Sequence, residues 1–331
     1  MKRSYIIAEM ACSHDGSVKL AKDIIKSAIK AGADAIQFQI WNHHDLVVSH
    51  HPDIQILQNL QLSRQDWKDL LYYVKENSEE MEVIACVYDI NTINFSREIG
   101  VDAYKIHTSD LSNDMLLKAV ANTGKRIDLS VGASTYYEIS EAISTIKKSG
   151  NNNIWLMYGK QLFPTAIQDA EILQAVTLGH AFSLPVGYQD HSDANTEAAF
   201  HIPIAARGAG LSILEKHITH DRSLEGADHQ AALNPNEFCK FVSMLRDIDI
   251  ALGDPRPHPF TEAEKKYRIY SKKSLVAVED FEKGHIIKEE DLIALRSPDL
   301  GSPPNKLSAY VGKSLKYSIK KHNPISLGHI E

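Results

Sequence analysis

Short apolar segments alternate with amphipathic segments along the first 250 residues of the chain. In the amphipathic stretch 17–32, Leu20, Ile24 and Ala28 recur at helical spacing, and Gly32 follows as a helix stop. The apolar segments are rich in β-branched residues and return at intervals of about 25 to 40 residues, a spacing typical of repeated strand–helix units. The predicted strands lie at 4–10, 34–41, 82–88, 103–107, 126–132, 153–159, 184–190 and 211–218.

These eight units predict an α/β fold in which the strands close into a TIM (β/α)8 barrel. An open, doubly wound sheet is the alternative. The sequence after the first strand has no G-x-G-x-x-G motif to support it.

The last predicted helix of the barrel, 234–253, is followed by DPRPHPF, a proline-rich sequence typical of a linker. We therefore predict a barrel domain at 1–255, a linker at 256–272 and a small β-rich domain at 273–331. The whole chain is then a barrel followed by a small module.

Two segments of the small domain, 280–292 and 318–330, resemble each other. Each consists of a turn, a basic stretch and an apolar end, which indicates an internal repeat. A module of about 60 residues buries little apolar surface on its own, so we expect a partner surface to cover it.

Composition restricts the class of protein. With 331 residues, 43% of them hydrophobic, the chain can bury a large core. Its net charge of −7 and the lack of a basic stripe argue against nucleic acid as a partner. The apolar runs are too short for a signal peptide or a membrane span, so we expect a cytoplasmic protein that does not enter membranes. Cys12, Cys86 and Cys239 form no CxxC pair, which favours reduced thiols over disulfides or a zinc site.

The seventh and eighth predicted strands both end in histidine. GYQDHS places His191 at one strand end, and LEKHIT places His217 at the next. In a barrel, the carboxyl ends of the strands form the catalytic mouth, and two adjacent imidazoles there suit Zn²⁺, Mn²⁺ or Fe²⁺. The chain has 16 histidines, so spacing alone does not exclude two rings that bond only to loop backbone.

Several motifs together resemble one known family. The opening IIAEMACSHDGSVKLA and the strand GADAIQFQ are similar to the I-A-E-x-x-x-N-H-x-G and G-A-D-x-x-K-F-Q segments of the sialic acid synthase (N-acetylneuraminate synthase) family. AYKIHTSD, LSVGAS, GYQDHS and SILEKHIT resemble later family segments in order, and DFEKGHIIKEEDLIALRSP resembles the family's antifreeze-like (SAF) domain. The resemblance covers nearly the whole chain.

This resemblance implies a TIM barrel followed by a small antifreeze-like (SAF) domain, in a homodimer whose SAF domains are swapped so that each roofs the partner's site. It implies a reaction between phosphoenolpyruvate and an N-acylated hexosamine aldehyde, such as N-acetylmannosamine or a 6-deoxy relative, that releases phosphate. It also implies a divalent metal held by His191 and His217, with Mn²⁺ as the first choice and Mg²⁺ or Co²⁺ as alternatives.

The resemblance further assigns roles to individual residues. Glu9 matches the glutamate that positions sugar or water, although a carboxylate there could instead cap the following turn. Lys105 matches the family's lysine that binds phosphoenolpyruvate. Arg296 matches the SAF arginine that reaches the sugar's N-acyl group across the dimer, but it could instead form a surface pair with Asp299. Further substrate-binding residues implied are Gln39, Thr108, Asp110, Ser130, Gln161, Phe163, Gln189 and Asp228, of which Asp110 could be a solvated turn residue.

The phosphate-binding positions depart from the family pattern. Gln37, Cys86 and Gln189 stand where the family has lysine, threonine and serine. Losing a cation and two hydroxyl donors predicts weaker binding of a dianion, because charge-assisted hydrogen bonds are the strong ones. Lys160, beside the QLFP sequence, could restore the charge or could be an exposed loop lysine.

These departures leave other functions open. The barrel could use a different three-carbon donor or sugar, it could be a Schiff-base aldolase that uses Lys105, or it could bind a sugar without catalysis. The retained Glu9, Lys105 and histidine pair argue against a silent barrel.

Overall fold

The computed structural model describes residues 3–331. The chain divides into two compact units, and the boundary lies between residues 254 and 255. Among the described residues, none of the helices has both the length and the apolar character needed to cross a membrane.

In the first unit, eight parallel strands pair in chain order, and the last strand pairs with the first. The predicted TIM barrel is therefore confirmed, and each strand lies within one of the predicted apolar segments. The strands are β1 Tyr5–Glu9, β2 Ala35–Ile40, β3 Glu82–Val87, β4 Ala103–Ile106, β5 Arg126–Ser130, β6 Ile154–Tyr158, β7 Val186–Asp190 and β8 Ile213–His217.

Helices surround the barrel, and their ends carry the expected signals. The first, Val18–Ala31, begins at Ser17, whose hydroxyl accepts a hydrogen bond from the Leu20 amide, and ends at Gly32 in the left-handed conformation that favours glycine. The helices are α1 Val18–Ala31, α2 His43–Leu46, α3 Ile54–Leu60, α4 Arg64–Asn77, α5 Ile90–Ile99, α6 Asp114–Ala121, α7 Tyr136–Lys148, α8 Ile172–Phe182, α9 Ala198–Gly208 and α10 Pro235–Leu252.

The extra helices α2 and α3 follow β2 and were not predicted from the sequence. Neither buries a residue, so neither carries the periodic apolar stripe that reveals a helix. They form a surface segment that connects β2 to α4.

Side chains inside the barrel form three layers along the strands, because alternate residues of a strand face the same side. At the amino-terminal end, the Arg126 guanidinium bonds to Glu82 at 2.7 Å and to Asp128 at 2.9 Å and lies 4.1 Å from the Trp155 ring centre. The middle layer is apolar and consists of Ile7, Ala35, Ile84, Ala103, Met157 and Ile213. The layer at the carboxyl ends is polar, so the apolar residues form a partition between Arg126 and the mouth, while the Asp128 carboxyl still interacts electrostatically with Lys105 and Glu215.

The second unit contains helix α11, Glu262–Ser271, and an antiparallel pair of strands, β9 Lys273–Ala277 and β10 Leu292–Arg296. The helix falls in the segment that we predicted as a linker. It begins at a capping box formed by Thr261 and Glu264 and buries no residue. The unit has its own apolar core, which includes Leu275, Phe281, Ile287, Tyr310, Leu315, Ile319 and Ile325.

The two similar segments of this unit adopt the same backbone structure. Phe281 and Ile319 exchange two backbone hydrogen bonds of 2.8 Å. The Gly284 amide donates to Leu315, and at the matching turn the His322 amide donates to Ala277, each at 2.8 Å. Gly284 and His322 both have positive φ, of 87° and 63°. The two segments therefore pair with each other as repeated halves of one module.

Candidate active site at the barrel mouth

A cavity of about 190 Å³ lies at the carboxyl ends of the barrel strands. Larger cavities lie on the surface, one of about 530 Å³ beside Lys160. The cavity at the mouth, however, brings together nine of the residues predicted from the sequence. It is lined by Glu9, Gln39, Tyr88, Lys105, His107, Gln161, Phe163, Gln189, His191, Glu215, His217 and Asp228.

Strand alternation explains why these side chains meet. Gln189 and His191 are two residues apart at the end of β7, and Glu215 and His217 stand in the same relation on β8. Residues two apart point to the same side, so both members of each pair face the interior. This rule identifies Glu215, which the sequence analysis missed together with Tyr88 and His107.

A buried ion pair crosses the interior of the barrel. The Lys105 ammonium lies 2.6 and 2.8 Å from the two carboxylate oxygens of Glu215, and both side chains are almost fully buried. Burial by itself lowers the pKa of Lys105, but the Glu215 and Glu9 carboxyl groups outweigh it, so the pKa is raised. Lys105 is therefore a cation rather than a free amine.

A chain of hydrogen bonds continues from this pair. The Gln189 amide donates to Glu215 at 3.0 Å, and its oxygen accepts from Ser130 at 2.9 Å. The hydroxyls of Ser130 and Thr108 are 2.8 Å apart. Gln189 is thus hydrogen-bonded both to Glu215, the partner of Lys105, and to Ser130, whose hydroxyl is one of the predicted substrate-binding groups.

The two other departures from the family pattern lie in the same layer. Gln37 is fully buried, and neither its amide nitrogen nor its oxygen has a hydrogen-bond partner within residues 3–331. A buried amide without a partner costs about 1–3 kcal/mol, so a polar ligand group would be favoured beside it. Burial raises the pKa of the Cys86 thiol to about 12, which keeps it neutral. Neither residue supplies a cation.

The predicted metal ligands are neighbours. The ring centres of His191 and His217 lie 5.3 Å apart, and the Phe163 ring packs against both, at 4.3 and 5.8 Å. His191 Nδ1 donates to the Lys160 carbonyl at 2.7 Å, which leaves Nε2 unprotonated, and His217 Nδ1 is buried with no partner in the described chain. Burial lowers the pKa of both rings, that of His217 well below its ordinary value. Two neutral imidazoles with unused nitrogens fit a divalent metal ion.

A second buried ion pair joins the outer faces of the same two strands. The Lys216 ammonium lies 2.6 Å from an Asp190 carboxylate oxygen, and Asp190 also accepts from the Ser192 hydroxyl at 2.8 Å. Each partner directly precedes one of the two histidines. The pair therefore fixes β7 and β8 against each other behind the histidine pair.

Glu9 uses only one of its carboxyl oxygens for the protein. Oε1 accepts from the Ala11 amide at 2.6 Å, which is the turn-capping role, while Oε2 is buried without a partner in residues 3–331. Burial raises the pKa of Glu9 to about 8, and the Lys105 cation only partly offsets this effect. Burial also raises the pKa of Asp228 across the cavity. A positive ion bound in the cavity would favour the ionised form of both carboxyl groups.

The raised pKa of Glu9 predicts a pH dependence of stability. Between pH 4.5 and 8 the folded chain keeps a proton that the unfolded chain releases. This group's contribution is therefore fully present below pH 4.5 and is lost as the pH rises through 8. Relative to Glu9→Gln, the metal-free protein should lose roughly 2–3 kcal/mol of unfolding free energy between about pH 6 and pH 9.5.

Chemical denaturation of both proteins at the two pH values measures this difference. The histidines titrate in both proteins, so their effect cancels in the comparison. If the difference between wild type and Glu9→Gln stays flat above pH 6, the Glu9 pKa is not raised.

Three of the residues considered earlier lie elsewhere. The Asp110 carboxylate accepts from Asn113 at 2.8 Å within its own turn and does not line the cavity. The Lys160 ammonium lies 2.7 Å from Glu171, so its charge is directed away from the phosphate-binding positions. Arg296 is exposed at the end of β10 in the second unit.

The sequence and the fold are similar to those of known proteins. The sequence model of the NeuB family matches residues 24–256, and that of the SAF domain matches residues 272–331. An N,N'-diacetyllegionaminic acid synthase from Legionella pneumophila is 31% identical over 347 residues, which cover 99% of this chain and 94% of the relative. One of the same name from Campylobacter jejuni is 30% identical over 329 residues, which cover 95% and 96%.

A solved structure shows the same relationship. The N-acetylneuraminic acid synthetase from Leptospira borgpetersenii, in complex with citrate, superposes with a TM-score of 0.73 at 30% sequence identity. The match covers 81% of this chain and 92% of that one.

Proposed function

The chain belongs to the NeuB family, and we propose on this basis that it is a nonulosonic acid synthase that condenses phosphoenolpyruvate with an N-acylated hexosamine aldehyde. N-acetylmannosamine or a 6-deoxy relative is the proposed acceptor. The observation that carries the proposal is the cavity at the barrel mouth, where the buried Lys105 cation faces the neutral pair His191 and His217. An anion-binding lysine and a site fit for a metal are what this reaction requires.

In this proposal His191 and His217 hold a divalent ion, Mn²⁺ in the first place, with Mg²⁺ or Co²⁺ as alternatives. When bound, the ion supplies Lewis-acid polarisation of the aldehyde carbonyl. The Lys160 carbonyl fixes the His191 tautomer through Nδ1, and so keeps Nε2 available as a ligand.

The remaining groups bind and orient the two substrates. Lys105 binds the anionic donor, and Glu215 keeps the lysine protonated and in place. The unpartnered Gln37 amide can donate to a phosphate oxygen. The unpartnered Glu9 Oε2 orients a sugar hydroxyl or the water.

The bond changes follow from the substrates. The methylene carbon of the enol phosphate bonds to the aldehyde carbon, whose oxygen gains a proton. Water adds to the carbon that bears the phosphate group, and the carbon–oxygen bond to phosphate then breaks, giving a 2-keto acid and inorganic phosphate. These changes define a carbon–carbon bond-forming transferase.

The Schiff-base alternative is disfavoured by the ion pair at Lys105. A Schiff base requires an unprotonated amine. Here two oxygens of Glu215 hold the nitrogen at 2.6 and 2.8 Å, and the pKa is raised. The ammonium suits anion binding instead.

The direct test is phosphate release from phosphoenolpyruvate in the presence of Mn²⁺ and a panel of hexosamine and 6-deoxyhexosamine aldehydes. We expect release with at least one N-acylated aldehyde and none without an acceptor. Binding of phosphoenolpyruvate without release would indicate an acceptor outside the panel. No binding by titration calorimetry, with metal present, would reject this donor in favour of another three-carbon compound.

We also propose that the second unit is an SAF roof, exchanged between the subunits of a homodimer, with Arg296 reaching the sugar's N-acyl group in the partner's barrel. The match of the SAF domain to residues 272–331 and the exposed position of Arg296 support this assignment. A planar guanidinium fixes a carbonyl oxygen better than a flexible ammonium does.

Subunit mixing tests this arrangement. Arg296→Ala and His191→Ala are each expected to be inactive as homodimers. When mixed under conditions that allow exchange, each swapped heterodimer holds one mouth with both residues intact, so activity should recover to roughly a quarter of wild type. If heterodimers form and no activity returns, Arg296 does not act in trans.

A further inference from the structure

A second group of metal-ligating side chains lies beside the mouth. Asp15, His220 and His229 each place a ligand atom within 4.8 Å of the others. They come from two segments that are far apart in sequence: the loop between β1 and α1, which holds Asp15, and the connection between β8 and α10, which holds both histidines nine residues apart. The fold, rather than a local motif, brings them together.

The surroundings of His220 leave one of its nitrogens unused. Its Nδ1 donates to the Ser13 carbonyl at 3.0 Å, and a carbonyl can only accept, so Nδ1 carries the proton. In the neutral ring Nε2 is then the nitrogen with a free lone pair. It is buried with no hydrogen-bond partner in residues 3–331 and lies 3.9 Å from an Asp15 carboxylate oxygen.

His229 is a buried ring whose Nε2 faces the same Asp15 carboxylate. It is only 1% exposed, and its Nδ1 has no partner in the described chain. Its Nε2 lies 3.2 Å from the Thr219 hydroxyl and 3.7 Å from an Asp15 carboxylate oxygen. Burial lowers the pKa of His229, so the ring is neutral and does not form a true ion pair with Asp15.

The spacing of these groups is too wide for direct hydrogen bonds and close to that of ligands around one ion. Separations of 3.7 and 3.9 Å exceed the hydrogen-bond limit. Ligand atoms at 2.0–2.1 Å around a tetrahedral ion lie about 3.3 Å apart. The two separations from Asp15 exceed this value by about half an ångström, and all three ligand atoms lie within 4.8 Å of one another.

Gly226 closes over the same group. A Cβ atom on Gly226 would lie 2.7 Å from Asp15 Oδ1 and 2.8 Å from His229 Nε2. Any side chain there would displace the carboxylate or the imidazole. Glycine therefore allows this loop to approach the cluster without entering it.

We propose that Asp15, His220 and His229 bind a divalent transition metal ion of the Zn²⁺ class, at a site distinct from His191 and His217. Two neutral imidazoles and one carboxylate form a ligand set that such ions favour, with positions left for water. The ion joins the loop after β1 to the connection between β8 and α10.

The site would also order a residue of the mouth. Asp228 directly precedes His229 and has a positive φ of 64°. An ion on His229 would hold Asp228 at the edge of the cavity. This consequence for the sugar rests on the proposed function, whereas metal binding does not.

The test uses the full chain with both mouth histidines replaced, His191→Ala/His217→Ala, so that any ion bound reports the second site. The protein is stripped with a chelator, loaded with Zn²⁺ or Co²⁺ and desalted, and its metal content is measured. We expect about one ion per chain, and for Co²⁺ the absorption bands of a low-coordinate site. A metal content near zero in this parent would overturn the proposal.

Further substitutions in the same parent assign the ligands. Adding His220→Ala or Asp15→Asn should reduce the metal content at least about tenfold, whereas His201→Ala, an exposed histidine of α9, should retain the ion. Asp15 is partly exposed, so Asp15→Asn keeps both rings packed if His220→Ala does not fold. Zn²⁺ should also raise the Tm of the parent but not of the ligand variants. Full metal retention in Asp15→Asn and His220→Ala would place the ion elsewhere.

Discussion

His217→Ala is expected to lower kcat/KM for the proposed condensation by at least about 10³-fold, equivalent to roughly 4 kcal/mol of transition-state stabilisation. The ring lies at the barrel mouth rather than in the apolar core between sheet and helices, so the fold should survive its removal. His191→Ala should have a similar effect, because both rings are proposed to hold one ion. Phosphate release at fixed Mn²⁺, together with circular dichroism, measures activity and fold.

His201→Ala is the matched control, since this histidine is exposed on α9. It should keep wild-type turnover. Raising Mn²⁺ should partly rescue a single ligand variant but not the double variant His191→Ala/His217→Ala. Full turnover by His217→Ala after exhaustive chelation would rule out the metal assignment.

Lys105→Met is expected to weaken phosphoenolpyruvate binding at least about 100-fold, because it removes the cation that faces the donor. It should also destabilise the protein by about 3–5 kcal/mol, since Glu215 would remain buried without its partner. These two effects must be separated.

The double variant Lys105→Met/Glu215→Gln separates them. It leaves no uncompensated charge, so most of the lost stability should return, while phosphoenolpyruvate binding should not. Lys160→Met is a second control, because that lysine pairs with Glu171, and its donor affinity should stay within about twofold of wild type. Wild-type affinity in the double variant would mean that Lys105 has only a structural role.

The barrel could be predicted because each strand is an apolar, β-branched segment bounded by an amphipathic helix. The same pattern placed His191 and His217 at strand ends, where a barrel brings them together, whereas Lys105 was identified from the family resemblance. Helices α2 and α3 escaped prediction because they bury nothing and so leave no periodic signal.

Pairwise contacts inside the site could not be predicted in the same way. Whether Gln189 bonds to Ser130 or to Glu215 depends on distances between strands, which no local pattern encodes. The direction of the Lys160 side chain likewise depends on Glu171, whose position follows from the loop after β6. Asp15 lies in the loop after β1 and both histidines lie between β8 and α10, so only the folded chain reveals the proximity of Asp15 to the histidines.

The apolar partition inside the barrel lies between the contacts of Arg126, which hold strands together, and the polar side chains of the mouth. Arg126 bonds to Glu82 and Asp128 at the amino-terminal end, whereas Gln37, Cys86 and Gln189 lie further along their strands, and of these three Gln189 lines the mouth cavity. A substitution at one of these three positions is therefore expected to leave the contacts of Arg126 intact. Libraries that randomise Gln37, Cys86 and Gln189 together should consequently contain many folded members, and under the proposed condensation some of these should have a changed donor preference.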